Sequence, residues 1–329
     1  MPEQEIPTLI NSFPKPLQKD ITNIFNNTGV LEATAVHRIT QTMNISTAAL
    51  MLRLVPLAAH YAFAPISHYK VGAVAQGQAN TRIKDDLIAN LYLGANIEFT
   101  GQALIHSIHA EQSAVNAAWL QGESTIQAIA VSAPPCGYCR QFLYETITQD
   151  TLKIFLPEQA DFTQLQETTL ENLLPGAFGP QDLGKQGGIM NPTPASQNRP
   201  LNLDPSLKKQ AKDPLILRAL QAARQSYAPY TGNYAGCSLQ LTDGSIISGR
   251  YAENAAHNPS LLPLNAAIAA LRLSQDLQNV VNTDIGSSIK RAVLVEAPST
   301  SSQRNASLNV LASFAPGLEL EYYQTTVAF

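Results

Sequence analysis

The chain has 329 residues, 45% hydrophobic and 14% charged; it can bury a sizeable core and hold two domains, which excludes a small metal-stapled module. With 21 Lys and Arg against 25 Asp and Glu the formal charge is −4, and no long basic block provides the cationic groove that a polynucleotide partner calls for. Three cysteines do not make a disulfide framework, the acidic start Met1-Pro2-Glu3-Gln4-Glu5 has no charged-then-apolar leader, and no apolar run nears the roughly 20 residues of a membrane span, so a cytoplasmic chain without a membrane partner is expected.

Residues 1–48 read as a helical segment, with Leu17, Ile21, Ile24 and Phe25 at helical spacing. A helical stretch through Leu52, Val55, Leu57 and Ala58 comes next, then strand character from Tyr69 to Ala75. The segment from Gln76 to Leu93 is long and carries the charged stretch Arg82-Ile83-Lys84-Asp85-Asp86, which bears only on loop shape. A helix runs from near His109 through Val115, Ala118 and Leu120. Buried strands are expected at Gln127–Ser132 and Leu152–Leu156, with a helix containing Phe142, Leu143 and Ile147 between them. Strands alternating with helices make the class α/β.

Within this alternation His109-Ala110-Glu111 and Pro135-Cys136-Gly137-Tyr138-Cys139 carry the chemistry. An imidazole and two thiolates suit Zn²⁺, and three protein ligands leave a fourth tetrahedral position for water, the arrangement of a catalytic site. Glu111, two residues beyond the histidine, stays off the metal yet reaches that water and can move its proton. Both ligand groups fall at helix N-termini, whose partial positive charge favours thiolate. H-x-E followed by P-C-x-x-C is the signature of zinc nucleobase deaminases. The cysteines alone would fit a structural zinc knuckle or a redox pair equally well; His109 and Glu111 turn the balance.

Residues 186–212, with Gly-Gly, Asn-Pro, Thr-Pro and Ser-Gln-Asn-Arg-Pro, have linker composition. Residues 213–329 read as a degraded copy of the part of the chain before this linker. Tyr61-Ala62, Pro65 and Val71-Gly72 find echoes in Tyr227-Ala228, Pro229 and Ala235-Gly236. Asn96-Ile97-Glu98 is echoed by Tyr251-Ala252-Glu253, and the run from Ala128 to Pro134 by Ala292 to Pro298. The ligands are absent from the copy: Leu262-Pro263-Leu264 stands for His109-Ala110-Glu111, and Ser299-Thr300 comes after Pro298. One zinc per chain is therefore expected. The division reads as a helical segment (1–48), a catalytic zinc domain (49–185), a linker (186–212) and a degenerate, zinc-free domain (213–329).

From about residue 50 to its end the chain resembles the cytidine deaminases, in their longer two-domain bacterial form. The resemblance rests on Val71-Gly72-Ala73, Gly94-Ala95-Asn96-Ile97-Glu98, His109-Ala110-Glu111-Gln112, Pro135-Cys136-Gly137-Tyr138-Cys139-Arg140-Gln141 and the run from Leu174 to Leu183. It implies a duplicated three-layer α-β-α sandwich around a mixed sheet, with zinc on His109, Cys136 and Cys139 and Glu111 as the proton shuttle. It assigns Asn96 and Glu98 to the ribose hydroxyls, Phe178 to the pyrimidine pocket, and Ala110 and Tyr69 to the substrate, Tyr69 standing where the family usually has phenylalanine. It further implies a homodimer whose active sites are completed across subunits by the Ala255 region.

Without the resemblance, Asn96 and Glu98 would pass for a strand end with an exposed charge. Arg140 fits either a hydrogen bond to the cysteine sulfurs or a solvated helix face. His60, His68, His106 and His257 lack metal-like spacing; Cys237 reads as a buried free thiol, and Tyr227 and Tyr230 as packing. The leading functional reading is zinc-dependent hydrolytic deamination of cytidine and 2′-deoxycytidine, a step of pyrimidine salvage. The alternatives are deamination of another small aminated nucleoside or base, and a non-catalytic zinc-binding protein.

Overall fold

The computed structural model describes residues 5–79, 81–83, 86–146, 151–159, 162–190, 201–205, 210–275 and 285–327. They form two compact units. The first comprises Met1–Glu98, Ile108–Ala177 and Arg272–Asn282; the second comprises Phe99–Ser107, Phe178–Leu271 and Thr283–Phe329. These units cut across the division expected from sequence.

The first unit opens with α1 (Ile6–Asn11), α2 (Lys15–Asn26), β1 (Val30–Leu31) and α3 (Ala33–Met43). The apolar stripe read from the sequence, Leu17, Ile21, Ile24 and Phe25, is the buried face of α2. On the same helix Asp20 receives a two-point ion pair from Arg38 of α3. Ser46 caps α4 (Thr47–Ala59), its Oγ accepting from the Ala49 amide at 3.1 Å. Leu50, Met51, Leu52, Leu54, Val55, Leu57 and Ala58 are all buried, so α4 is apolar nearly all round and lies in the core.

Next come β2 (Gly72–Gln76), β3 (Thr81–Ile83), β4 (Asp86–Ile88), β5 (Leu91–Ala95), α5 (Ala110–Leu120), β6 (Ala128–Val131), α6 (Gly137–Tyr144), β7 (Lys153–Pro157), β8 (Leu165–Thr169) and α7 (Leu170–Leu173). The sheet order is β1-β5-β2-β6-β7-β8; β6 and β7 run parallel and the other pairs antiparallel, so the sheet is mixed. Three expectations change in detail. The strand expected from Tyr69 starts at Gly72, because the backbone of Tyr69 and Val71 is hydrogen-bonded to the Asn96 side chain. Within the 76–93 segment β3 and β4 pair antiparallel, Arg82 opposite Leu87 and Ile83 opposite Asp86, while Lys84 and Asp85 lie outside the described residues. The helix expected to include Ile147 ends at Tyr144, and Ile147 lies outside the described residues.

Two glycines set the layers. A Cβ on Gly72 would lie 2.3 Å from the Val55 carbonyl oxygen of α4, and one on Gly94 would lie 2.2 Å from the Ala114 nitrogen of α5. Gly94 pairs with Ala73, the neighbour of Gly72, so the two glycines face opposite sides of the pleat. Helix α4 thus covers one face and α5 the other, each with its backbone against the sheet, which gives the expected three-layer sandwich.

The second unit repeats this plan with β9 (Leu201–Leu203), α8 (Pro214–Arg224), β10 (Ala235–Leu241), β11 (Ile246–Arg250), α9 (Pro263–Leu273, whose last two residues belong to the first unit), β12 (Ile289–Glu296), α10 (Arg304–Phe314) and β13 (Leu320–Val327). Its sheet order is β11-β10-β12-β13-β9, with β12 and β13 parallel. Gly236 lies against Ala223 and Ala219 of α8, and Gly249 against Ala267 and Pro263 of α9, the same opposed pair as Gly72 and Gly94. Strand β9 comes from the stretch that composition marks as linker; Arg224 holds it by donating to the Leu201 carbonyl at 2.7 and 2.9 Å.

Pairing also corrects the repeat alignment in two places. Phe63 bridges Ile97 as Tyr227 bridges Ala252, so Tyr227 answers to Phe63 rather than to Tyr61. Ala73 pairs with Val131 and Cys237 with Leu294, so Val131 answers to Leu294, one residue from the sequence alignment.

Candidate active site

His109 is the N-cap of α5 in extended conformation, and Cys136 is the N-cap of α6. Two features fix the histidine. Ile108 exchanges backbone hydrogen bonds with Ile97 at 2.8 and 2.9 Å, and the Gln112 side-chain oxygen accepts from the His109 amide at 3.1 Å. Cys139 lies one turn into α6 and is buried. The three donor atoms gather within 4.8 Å of one another, and among the described residues no other such cluster of three is found.

Their spacing tests whether zinc fits. The sulfurs stand 3.7 Å apart, and His109 Nδ1 lies 3.7 Å from Cys136 Sγ and 3.2 Å from Cys139 Sγ. Tetrahedral zinc with bonds of about 2.3 Å to sulfur and about 2.0–2.1 Å to nitrogen requires separations of roughly 3.8 Å and 3.5 Å. The donor set fits.

Charge is set by burial and by the thiol pair. The hydrogen bond between the two thiols brings Cys136 down to about 5, and the same bond together with burial pushes Cys139 well up. The pair therefore yields its first proton readily and its second against a cation. Glu111 is buried within hydrogen-bonding reach of Cys139, and burial raises its carboxyl. A carboxyl so placed is suited to carrying a proton.

Two supporting residues have roles that the sequence did not reveal. Tyr138 stacks on the His109 ring, centroids 4.9 Å apart and planes at 22°, which fixes the imidazole. Arg140 does neither of the things expected of it: its guanidinium donates to the Pro135 carbonyl at 2.7 Å and to the Leu173 carbonyl at 2.8 Å, tying the turn before Cys136 to the end of α7. The motif spacing marked both positions, but ring stacking and a carbonyl 33 residues away are not local properties.

The residues assigned to the sugar have tertiary work as well. Asn96 accepts from the Val71 amide at 2.8 Å and donates to the Tyr69 carbonyl at 2.9 Å. Glu98 accepts from the amides of Ile66 and Ser67 at 2.8 and 3.0 Å and from the Ser67 hydroxyl. Burial would raise this carboxyl, but those hydrogen bonds prevail and the net shift is downward. A carboxylate offers about four lone-pair sites and an amide two donors and two acceptors, so both keep capacity for a ligand. Tyr69 is 55% exposed, Phe178 lies in the second unit and is 47% exposed, and Ala110 and Ala255 are buried.

The second unit keeps the scaffold without the donors. Glu253 accepts from Tyr230 N, Thr231 N and the Thr231 hydroxyl at 2.7, 3.2 and 2.6 Å, repeating the Glu98 clamp. Where β12 ends, the buried Glu296 accepts from Ser302, Gln303, Tyr322 and Asn233, and Gln303 also donates to Asn233 at 2.8 Å. By strand register Glu296 takes the place of Ala133, three residues before Cys136. Cys237 is buried in β10, as expected of a free thiol.

A histidine and two cysteines at paired helix N-termini, with a buried carboxyl beside them, define a three-donor zinc site, and three protein ligands leave the fourth tetrahedral position to a water. Two family models, each described as cytidine and deoxycytidylate deaminase zinc-binding region, match residues 45–153 and 170–307. A cytidine deaminase of Aliivibrio fischeri is 37% identical over 323 residues, covering 97% of this chain and 98% of that one. One from Photorhabdus laumondii is 43% identical over 275 residues, with 83% and 82% covered. A solved cytidine deaminase from Burkholderia pseudomallei covers 39% of this chain and 97% of its own at 25% identity, with a TM-score of 0.31. The chain belongs to the cytidine deaminase family, and its metal is zinc.

Proposed function

We propose that this chain catalyses the hydrolytic deamination of cytidine and 2′-deoxycytidine to uridine and 2′-deoxyuridine with release of ammonia. The observation that carries this reading is the buried Glu111 carboxyl beside a His109, Cys136 and Cys139 donor set spaced for zinc. When bound, zinc supplies a Lewis acid that brings water toward deprotonation near neutral pH. Glu111 takes a proton from the attacking water on its carboxylate and delivers it to N3 as the oxygen adds to C4. It then carries the second proton to the departing amine, so that water and the substrate become the uridine product and ammonia. Asn96 and Glu98 orient the sugar with the capacity left over from holding the 66–71 loop, and Ala110 and Tyr69 are further substrate contacts; Phe178 keeps its pyrimidine-facing role from the family resemblance alone.

The same proposal covers assembly and place. A homodimer with sites completed across subunits accounts for the exposure of the Tyr69 and Phe178 rings, and Ala255, being buried, would contribute its backbone. The repeated sheet order and glycine pairs support the duplication within the proposed division, while the compact units and strand β9 depart from its 186–212 linker and its bounds. A cytoplasmic location is supported by three free cysteines, and no single helix among the described residues is long and apolar enough to cross a membrane.

The test is Glu111→Gln, assayed by the loss of cytidine ultraviolet absorption. The variant should fold and keep its zinc but lose at least about a hundredfold in turnover, because an amide can neither accept nor deliver the proton. Retention of more than about a hundredth of normal turnover overturns the role of Glu111.

A further inference from the structure

Arg272, at the end of α9, is 5% exposed, and its hydrogen bonds among the described residues go to main-chain carbonyls rather than to a carboxylate. Its Nε donates to the Tyr61 carbonyl at 2.8 Å and its Nη2 to the Ala62 carbonyl at 3.3 Å, partners 211 and 210 residues away in sequence. The guanidinium also lies over the Phe63 ring, 5.6 Å from its centroid. Burial lowers its pKa to about 10, which leaves it charged at neutral pH.

What Arg272 holds is the turn that leaves α4. The amides of Tyr61 and Ala62 close that turn on the carbonyls of Ala58 and Ala59, and their own carbonyls, just past the helix end, accept from Arg272. The next residue, Phe63, is wedged between the two sugar-side residues: its amide donates to the Asn96 carbonyl at 2.9 Å, and its carbonyl accepts from the Glu98 amide at 2.8 Å. A rigid run therefore leads from the guanidinium through residues 61–63 to the backbone of Asn96 and Glu98.

We propose that Arg272 is a positioning residue for substrate binding, fixing through residues 61–63 the strand end that presents Asn96 and Glu98; this rests on their reading as the sugar-binding pair. It acts from the half of the sequence that lacks metal ligands, which gives that half a task inside the catalytic unit. A planar donor fork of fixed geometry suits two neighbouring carbonyls better than an ammonium, whose three donors sit on a shorter head at the end of a flexible stem.

The experiment is made on the full-length, zinc-loaded chain with Arg272→Met, Arg272→Lys and, as a control, Asn96→Ala. Arg272→Met should keep its zinc content and raise KM for cytidine roughly ten- to a hundredfold with kcat changed by less than about threefold, because a remote binding contact is lost rather than one made only in the transition state. Arg272→Lys should fall between it and the parent. Hydrogen exchange should quicken at the Phe63 and Glu98 amides in Arg272→Met while Ile129 and Ala130 in β6 stay protected. An unchanged KM in Asn96→Ala defeats the sugar-binding reading. A raised KM there, with unchanged KM and exchange in Arg272→Met, defeats the positioning role alone. Should Arg272→Met not fold, Arg272→Lys carries the comparison; failure of both to fold overturns the proposal, since Arg272 would then serve the unit's stability as a whole.

Discussion

Gly94→Ala tests how the sheet seats the site. A Cβ there would lie 2.2 Å from the Ala114 nitrogen, 2.5 Å from the Ala110 carbonyl oxygen and 2.7 Å from the Ala114 Cα. All three obstacles are α5 backbone, so no side chain can swing aside, and ordinary contact at 3.4 Å requires α5 to retreat by about 1.2 Å. Overpacking of this kind costs about 3 kcal/mol, the upper end of the usual range, or roughly 6–12 °C in melting temperature. The same movement carries His109, the cap of α5, and Glu111 away from Cys136 and Cys139. A misplacement of about 1 Å costs on the order of a hundredfold in rate. Gly249→Ala is the matched control for metal binding: its Cβ would lie 2.2 Å from Ala267 N and 2.3 Å from Pro263 O, and α9 carries no metal donor, although its end bears Arg272, so this control is read on zinc affinity rather than on KM. Thermal unfolding, kcat/KM and zinc competition against a chelator should show both variants destabilised and Gly94→Ala alone weakened in zinc affinity. A Gly94→Ala enzyme that melts lower yet turns over normally would refute the link between that seat and the chemistry.

Metal analysis should return about one zinc per chain, and Cys136→Ala should lose it; two equivalents with all three ligands intact would mean a second site. Asp213→Asn, which keeps the side-chain oxygen that caps α8 but loses the charge facing Arg291, should cost about 1 kcal/mol at neutral pH, a value reduced by the pair's partial exposure. The Arg291 hydrogen bond holds the Asp213 carboxyl below its ordinary range, so its contribution is present above that range and disappears as pH falls through the lowered value; denaturation at pH 7 and below about pH 3 should show the difference shrinking. Truncation after residue 212 should abolish activity with every zinc ligand present, because it removes Arg272 and Leu273 from the first unit. An active truncated protein would contradict that.

The parts of the fold legible in the sequence are those governed by local periodicity and capping. The Leu17–Phe25 stripe, the strands at β6 and β7, and the histidine and cysteine at helix starts can be read from side-chain spacing and from the turn residues before them. The donor types and their spacing named the metal site. The rest depends on partners distant in sequence. Strand β9 is too short to stand out from a Pro- and Asn-rich stretch and exists by pairing with β13. Arg140 and Arg272 carry no local mark of the carbonyls they seek. The one-residue error in matching Val131 arose because alternate small apolar residues align equally well in either register; strand pairing decides between them.

The Glu296 network has a bearing on metal supply. Where the first unit presents donors for a cation at its helix starts, the second has a carboxylate with four neutral donors, all supplied by the chain itself. Zinc starvation should therefore silence such an enzyme without dismantling half of it. A chelated sample should show catalysis failing while the β12 amides stay slow to exchange, and restored zinc would find a scaffold already folded rather than a chain to be rebuilt.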